Sequence, residues 1–217
     1  MQKMTNSNRL SFKKKWGIAF ASSVYRKQLR IGIGSIIVIL AFFPWFFQTI
    51  ETRNGILLND WLLDQIPAYN VSLPIFVCVW ASAILVIIRS LQNPQVLLTF
   101  LSAYVLLCLS RIISISLVPL NAPVGLIALI DPLSNAFYGA KFITKDLFFS
   151  GHTSTVFLMG LCLISKKEKI IIFVAASVVS ILLLIQHVHY TIDIVAAPIF
   201  AYFIWRLAQK ITRQHYG

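Results

Sequence analysis

Acidic residues are scarce in this chain: Asp and Glu number 7 among 217 residues, and charged residues of both signs make up only 12%. A soluble domain carries about 25% charged residues, so a water-exposed globule is excluded as the fold class. Cysteine is sparse too. Cys78, Cys108 and Cys162 lie far apart inside apolar runs, which excludes a disulfide framework and a zinc-ligand spacing and leaves them as small packing residues. Internal repeats and low-complexity tracts are absent. What fills the chain is apolar: 58% of it is hydrophobic, with a mean hydropathy of +0.80.

Set against the ~20 residues needed to cross a bilayer, the apolar runs predict an all-α polytopic membrane protein with six helices. These lie near 31–48, 73–88, 96–117, 147–165, 170–185 and 194–208. The organisation expected is a basic N-terminal arm (1–30), a six-helix membrane catalytic domain (31–208) and a short tail (209–217). The first long apolar run starts late, behind two basic clusters, which argues against a signal peptide.

The net charge of +12 would suit nucleic acid, but its distribution points to a membrane instead. Most Lys and Arg fall on alternate connections: the N-terminal arm, Arg89, the Lys166, Lys167 and Lys169 turn, and Arg206, Lys210 and Arg213 at the end. Arg53, Arg111, Lys141 and Lys145 fall on the others, with Glu51, Asp60, Asp64, Asp131, Asp146 and Asp193. The positive-inside rule then puts both termini in the cytoplasm of a multi-pass cell-membrane protein. No nucleic-acid partner is expected. The arm, with Phe12, Trp16, Phe20 and Tyr25 among its basic residues, reads as an amphipathic helix on the cytoplasmic leaflet. The connection over 119–146, punctuated by Pro119, Pro123, Gly125, Pro132 and Gly139, is expected to lie along the membrane surface over the opposite end.

At that opposite end the unusual polar residues gather. His152, His187 and His189 are there, and only His215 lies in the tail. Ionisable residues at membrane depth are costly and are functional candidates by default. His189 and Asp193 are four apart, so they share a face where α-helix begins near 188. A carboxylate there fixes the imidazole tautomer, presents the other nitrogen as a nucleophile and stabilises positive charge on the ring. His152, at the mouth of the neighbouring predicted helix, can protonate a leaving oxygen and deprotonate an incoming one. Ser150 and Gly151 before it leave backbone N–H groups open to a phosphate. Arg111 is the cation best placed to neutralise that phosphate, with Lys145 and Lys141 as second choices; it could instead pair structurally with Asp60 or Asp146. This chemistry needs no metal and no cofactor. A His/His/Asp metal site and purely structural histidines are the competing readings.

The run Asp146-Leu147-Phe148-Phe149-Ser150-Gly151-His152-Thr153 resembles the third signature of sphingomyelin synthases, an Asp and an apolar triplet followed by SGHT. The run His187-Val188-His189-Tyr190-Thr191-Ile192-Asp193-Ile194 resembles their fourth, HxHYTxDV. Arg111 with Ser114, Ser116 and Pro119, and Asn59-Asp60, are fainter echoes. That family belongs to the type 2 phosphatidic acid phosphatase superfamily, and the compact length suits a bacterial member. The resemblance implies His189 as nucleophile, Asp193 as its activator and His152 as general acid and base, on the non-cytoplasmic face. Arg111, Ser150, Gly151, Asp146, Tyr190 and Lys145 are the candidate substrate- and phosphate-binding residues.

The reaction implied moves a phosphorylated headgroup from a phospholipid donor to a hydroxyl of ceramide or diacylglycerol. With water as acceptor the same residues make a lipid phosphatase or phosphodiesterase. The superfamily's KxxxxxxRP stretch is missing, and position 183, where its phosphatases carry Arg, is Leu183, which favours the synthase-like branch. A non-enzymatic lipid transporter or scaffold is the third reading. Headgroup, acceptor and oligomeric state are not legible in the sequence.

Overall fold

The computed structural model describes residues 11–129 and 142–213, with the side chain of Arg213 excepted. Lys141, Asp131, Pro132, Gly139 and His215, named above, lie outside the described residues. Those described are helical wherever they are regular: α1 (Phe12–Ala21), α2 (Ser23–Thr52), α3 (Trp61–Asp64), α4 (Ser72–Gln92), α5 (Pro94–Leu117), α6 (Gly151–Cys162), α7 (Lys166–Ile185) and α8 (Thr191–Arg213). The single pairing of extended chain among them joins Ile56 to Leu120.

Five of these helices are long and apolar enough to cross a membrane: Ser23–Thr52, Ser72–Gln92, Pro94–Leu117, Lys166–Ile185 and Thr191–Thr212. The sixth expected span, 147–165, differs. Only 12 residues of it are helix, a length of ~18 Å against the ~30 Å of a bilayer core. Its first part, 147–150, is irregular chain that is apolar because it is largely buried in protein, not because it is helical. Leu147, Phe149 and Ser150 are at most 1% exposed. Irregular backbone at membrane depth is tolerated only where protein or a polar cavity satisfies it. Here Arg111 and Ser114 do so, donating to the carbonyls of Phe149 and Phe148.

The helices alternate between two ends, as side-chain bonds record. At one end Trp16 donates to the Leu91 carbonyl (2.8 Å), Tyr25 to Pro94 (3.2 Å), Gln28 to Ile211 (3.0 Å) and Arg89 to Glu168 (2.9 Å). This gathers the arm, the α4–α5 turn, the start of α7 and the end of α8. α1 is helical as expected, resting on the bundle through Trp16 with Phe12 and Phe20 exposed. The other end holds Glu51, Asp60, Asp146 and the two histidine motifs.

Short α6 is the centre of the bundle, packed against α4, α5, α7 and α8. Ala103, Leu107, Phe149, Leu158, Ala197 and Ala201 close the seam with α5 and α8. Val86, Val156, Met159 and Ala176 close that with α4 and α7. Gly160 lets α7 approach closely, since a Cβ there would stand 2.8 Å from the Phe173 ring. α2 leans on α5 through Phe46, Phe47, Ile50 and Ile115. Val38, Leu73, Leu117, Ile170 and Phe203 face outward with more than half their surface exposed, the surface expected of a chain whose solvent is lipid.

Candidate active site

The turn between α7 and α8 is the foundation. It leaves α7 after Ile185, and His187 takes a left-handed backbone with φ of 53°. That conformation is unfavourable for a side chain with a Cβ and is held from both flanks. The His187 ring lies between two carbonyls, Nδ1 at 2.8 Å from Val124 and Nε2 at 2.8 Å from Ile66. Gly125 (φ +79°) makes room, because a Cβ there would come within 3.2 Å of the ring. Fully buried Gln186 accepts from the Val71 N–H (3.1 Å). Its amide donates to Ser72 Oγ (2.8 Å) and faces the carbonyls of Ile127 and Ala128. Two loops, before α4 and after α5, thus lock onto the two residues ahead of the HYTID run.

On the far side of the turn Tyr190 is buried and its hydroxyl donates to the Asn121 carbonyl (2.9 Å) while accepting from the Leu58 N–H (3.3 Å). Burial raises its pKa, and the charges of Asp193 and Asp60 add to that, against a bond from Leu58 that lowers it. The hydroxyl suggested as a phosphate ligand is committed to the loops. Asp60 accepts from the N–H of Thr191 (2.5 Å) and from its Oγ1 (2.9 Å), and caps α3 through Leu63 (3.2 Å).

Between these holds sits His189, 2% exposed, with Nδ1 at 3.4 Å from Oδ2 of Asp193, which is fully buried. The same Oδ2 accepts from the Tyr190 N–H at 3.0 Å. Asp193 Oδ1 is buried without a partner.

α6 is tied to this turn through Ser150, the residue that precedes and caps it. The Ser150 N–H donates to the Asp193 carbonyl (3.1 Å), and Ser150 Oγ caps the helix at the Thr153 N–H (3.4 Å). His152, half-buried, stands in the first turn of α6. The two motifs, distant in sequence, are therefore joined at one end of the bundle by a backbone hydrogen bond.

Arg111 comes up from α5 against the same helix start. Its guanidinium bonds the Phe149 carbonyl and pairs with Asp146; of the two structural pairings open in the sequence, Asp146 is the one formed. Gly151 is where it touches α6: a Cβ there would stand 2.7 Å from the guanidinium carbon. A cation and the first N–H groups of α6 thus converge, which is the electrostatics an anionic group requires. Lys145 is turned aside. Its ammonium donates to the Arg53 carbonyl and its N–H to Glu51 (3.2 Å), which also takes both the N–H and hydroxyl of Thr144.

Sequence reasoning did not pick out Glu51 and Gln186. Gln186 had a local signal, one polar residue ending an apolar run beside His187; Glu51 had none beyond its position at a helix end. Among the described residues no group of three or more His, Cys, Asp or Glu is placed to hold a metal.

No curated protein and no solved structure matches the chain. Residues 145–211 match the family model described as PAP2 superfamily C-terminal. That stretch contains both histidine motifs, and the match supports the type 2 phosphatidic acid phosphatase superfamily, whose members are generally phosphatases or phosphotransferases.

Proposed function

We propose that this protein is a membrane phosphotransferase that moves a phosphorylated headgroup from a phospholipid to the hydroxyl of ceramide or diacylglycerol through a phosphohistidine on His189. The observation that carries the reading is the buried His189–Asp193 pair, fixed by Ser150 to the start of the helix that bears His152 and faces Arg111.

In the first step Nε2 of His189 attacks phosphorus, and the bond to the diacylglycerol oxygen breaks as His152 gives that oxygen a proton. The imidazolium formed on His189 is stabilised by Asp193 at Nδ1. In the second step His152 takes the proton of the acceptor hydroxyl, whose oxygen attacks phosphorus and returns the electron pair to His189. Arg111 and the N–H groups at the start of α6 stabilise charge on the phosphoryl oxygens. The site lies on the non-cytoplasmic face, with both termini in the cytoplasm, because the basic connections gather at the opposite end.

Leu183 stands where phosphatases of the superfamily carry Arg, which favours a lipid acceptor over hydrolysis. The test is headgroup release and transfer by the purified, detergent-solubilised protein. The donors are phosphatidic acid, phosphatidylglycerol, phosphatidylethanolamine and phosphatidylcholine, with and without ceramide or diacylglycerol. Acceptor-dependent product, lost in His189→Ala, is the expected result. Acceptor-independent release, equally lost, would make the enzyme a hydrolase. Product formation unaffected by His189→Ala would overturn the proposal.

A further inference from the structure

The first turn of α8 has more demands on its carboxylates than its own sequence can meet. A helix begins with N–H groups that lack partners inside it, and Ser, Thr, Asp or Asn just before the helix normally supplies an acceptor. Tyr190 holds that place, and its hydroxyl is spent on Asn121 and Leu58. Asp193 is the one acid in the turn. It already serves the Tyr190 N–H, the back-reaching half of a capping box, and it also serves His189 Nδ1, both through Oδ2. The Thr191 N–H is met instead by Asp60, which lies 131 residues earlier and also binds the Thr191 hydroxyl.

We propose that Asp60 is a positioning residue for the nucleophile: by capping α8 from outside, it leaves Asp193 to His189. This rests on the reading that His189 attacks phosphorus. Without Asp60 the Thr191 N–H, part-buried at the start of α8, loses its acceptor. Asp193 Oδ1, buried and unpartnered, is the oxygen in the turn able to satisfy it. An Asp193 rotated to cap its own helix draws Oδ2 away from His189 Nδ1. The imidazole then loses both its fixed orientation and its support for positive charge. Asp60 touches neither substrate nor the reacting atoms in this account.

The test is a double-mutant cycle between Asp60→Ala and Asp193→Asn, in detergent, with whichever of the four donor lipids turns over and a diacylglycerol or ceramide acceptor. Asp60→Ala is expected to lower kcat by ~10-fold or more while KM stays within about twofold, since the loss falls on the chemical step. In the Asp193→Asn background the same substitution is expected to change kcat less than about twofold, because the charge at His189 Nδ1 that it protects is already gone. Asp60→Asn, which keeps one acceptor oxygen, recovers part of the activity.

If Asp60→Ala does not fold, Thr191→Val carries the same cycle. It removes one of the two bonds at nearly constant volume and is expected to show the same non-additivity with a smaller factor. A kcat unchanged in Asp60→Ala, or lowered by an equal factor in both backgrounds, would overturn the inference while leaving the function standing. Turnover that survives His189→Ala would overturn the function itself.

Discussion

Arg111 is the residue whose position has the widest consequence. A guanidinium inside an apolar bundle is tolerated because two of its N–H groups meet the Phe149 carbonyl and the Asp146 carboxylate, and it sits against Gly151, which has no Cβ to obstruct it. Two expectations follow from this placement. Gly151→Ala forces the guanidinium off its partners, at a cost of about 1–3 kcal/mol for an overpacked site. It should lower both the melting temperature in detergent and kcat; a melting temperature at or above wild type would contradict the geometry. Arg111→Leu strands the Phe149 carbonyl and Asp146, at on the order of 2–3 kcal/mol for a charge-assisted bond, again read by thermal unfolding. Asp193→Asn keeps the shape of the pair but removes its charge, and should lower kcat by ~100-fold or more with little change in folding. The pairing of His189 with Asp193 was legible in the sequence because a spacing of four is local. That Arg111 would meet Asp146 and not Asp60 was not, since both are distant acids and the choice depends on how the chain dips below the surface.

At the scale of elements, α6 and α8 meet nose to nose; α6 is capped by its own Ser150, whereas α8 is capped in part from outside its own run. Asp60 supplies part of α8's cap. Burial pushes its carboxyl up, but the bonds from Thr191 and Leu63 outweigh this and hold it below the ordinary carboxylate value. A depressed folded pKa contributes stability that is fully present above the unfolded value of ~4 and is lost as pH falls through the lower folded one. The loops over the site should therefore loosen at acid pH before the bundle does. Proteolysis within 53–70 should rise as pH falls through that window, and Asp60→Asn should flatten the dependence. Gln186 is the corresponding hold on the other side. Gln186→Leu leaves the Val71 N–H and Ser72 hydroxyl without their partner and should destabilise by about 1–3 kcal/mol, measured by unfolding in detergent.

The length of α6 was the element least legible in advance. An apolar run reads the same whether it is helix facing lipid or irregular chain buried in protein, and 147–150 is the latter. The two motifs themselves were legible as short polar runs at helix mouths. The loops that fix them, through Asn121, Glu51 and Gln186, act over separations that no local pattern records.

Over the whole molecule, charge and connectivity agree. The basic turns and the arm bind one another at one end through Trp16, Tyr25, Gln28 and Arg89, and His152, His187 and His189 lie at the other. This division between ends was legible from the placement of Lys and Arg, because it follows from alternation alone. The headgroup was not, since the walls that would contact it come from several helices at once. The central claim is that phosphorus passes through His189. The most direct measurement is to mix the purified protein with donor lipid labelled in its phosphorus, quench without acceptor, and locate the label by peptide mapping. The account predicts an alkali-stable, acid-labile label on the peptide containing His189, absent from His189→Ala. Label on another residue, or steady turnover with none on His189 at any quench time, would contradict it.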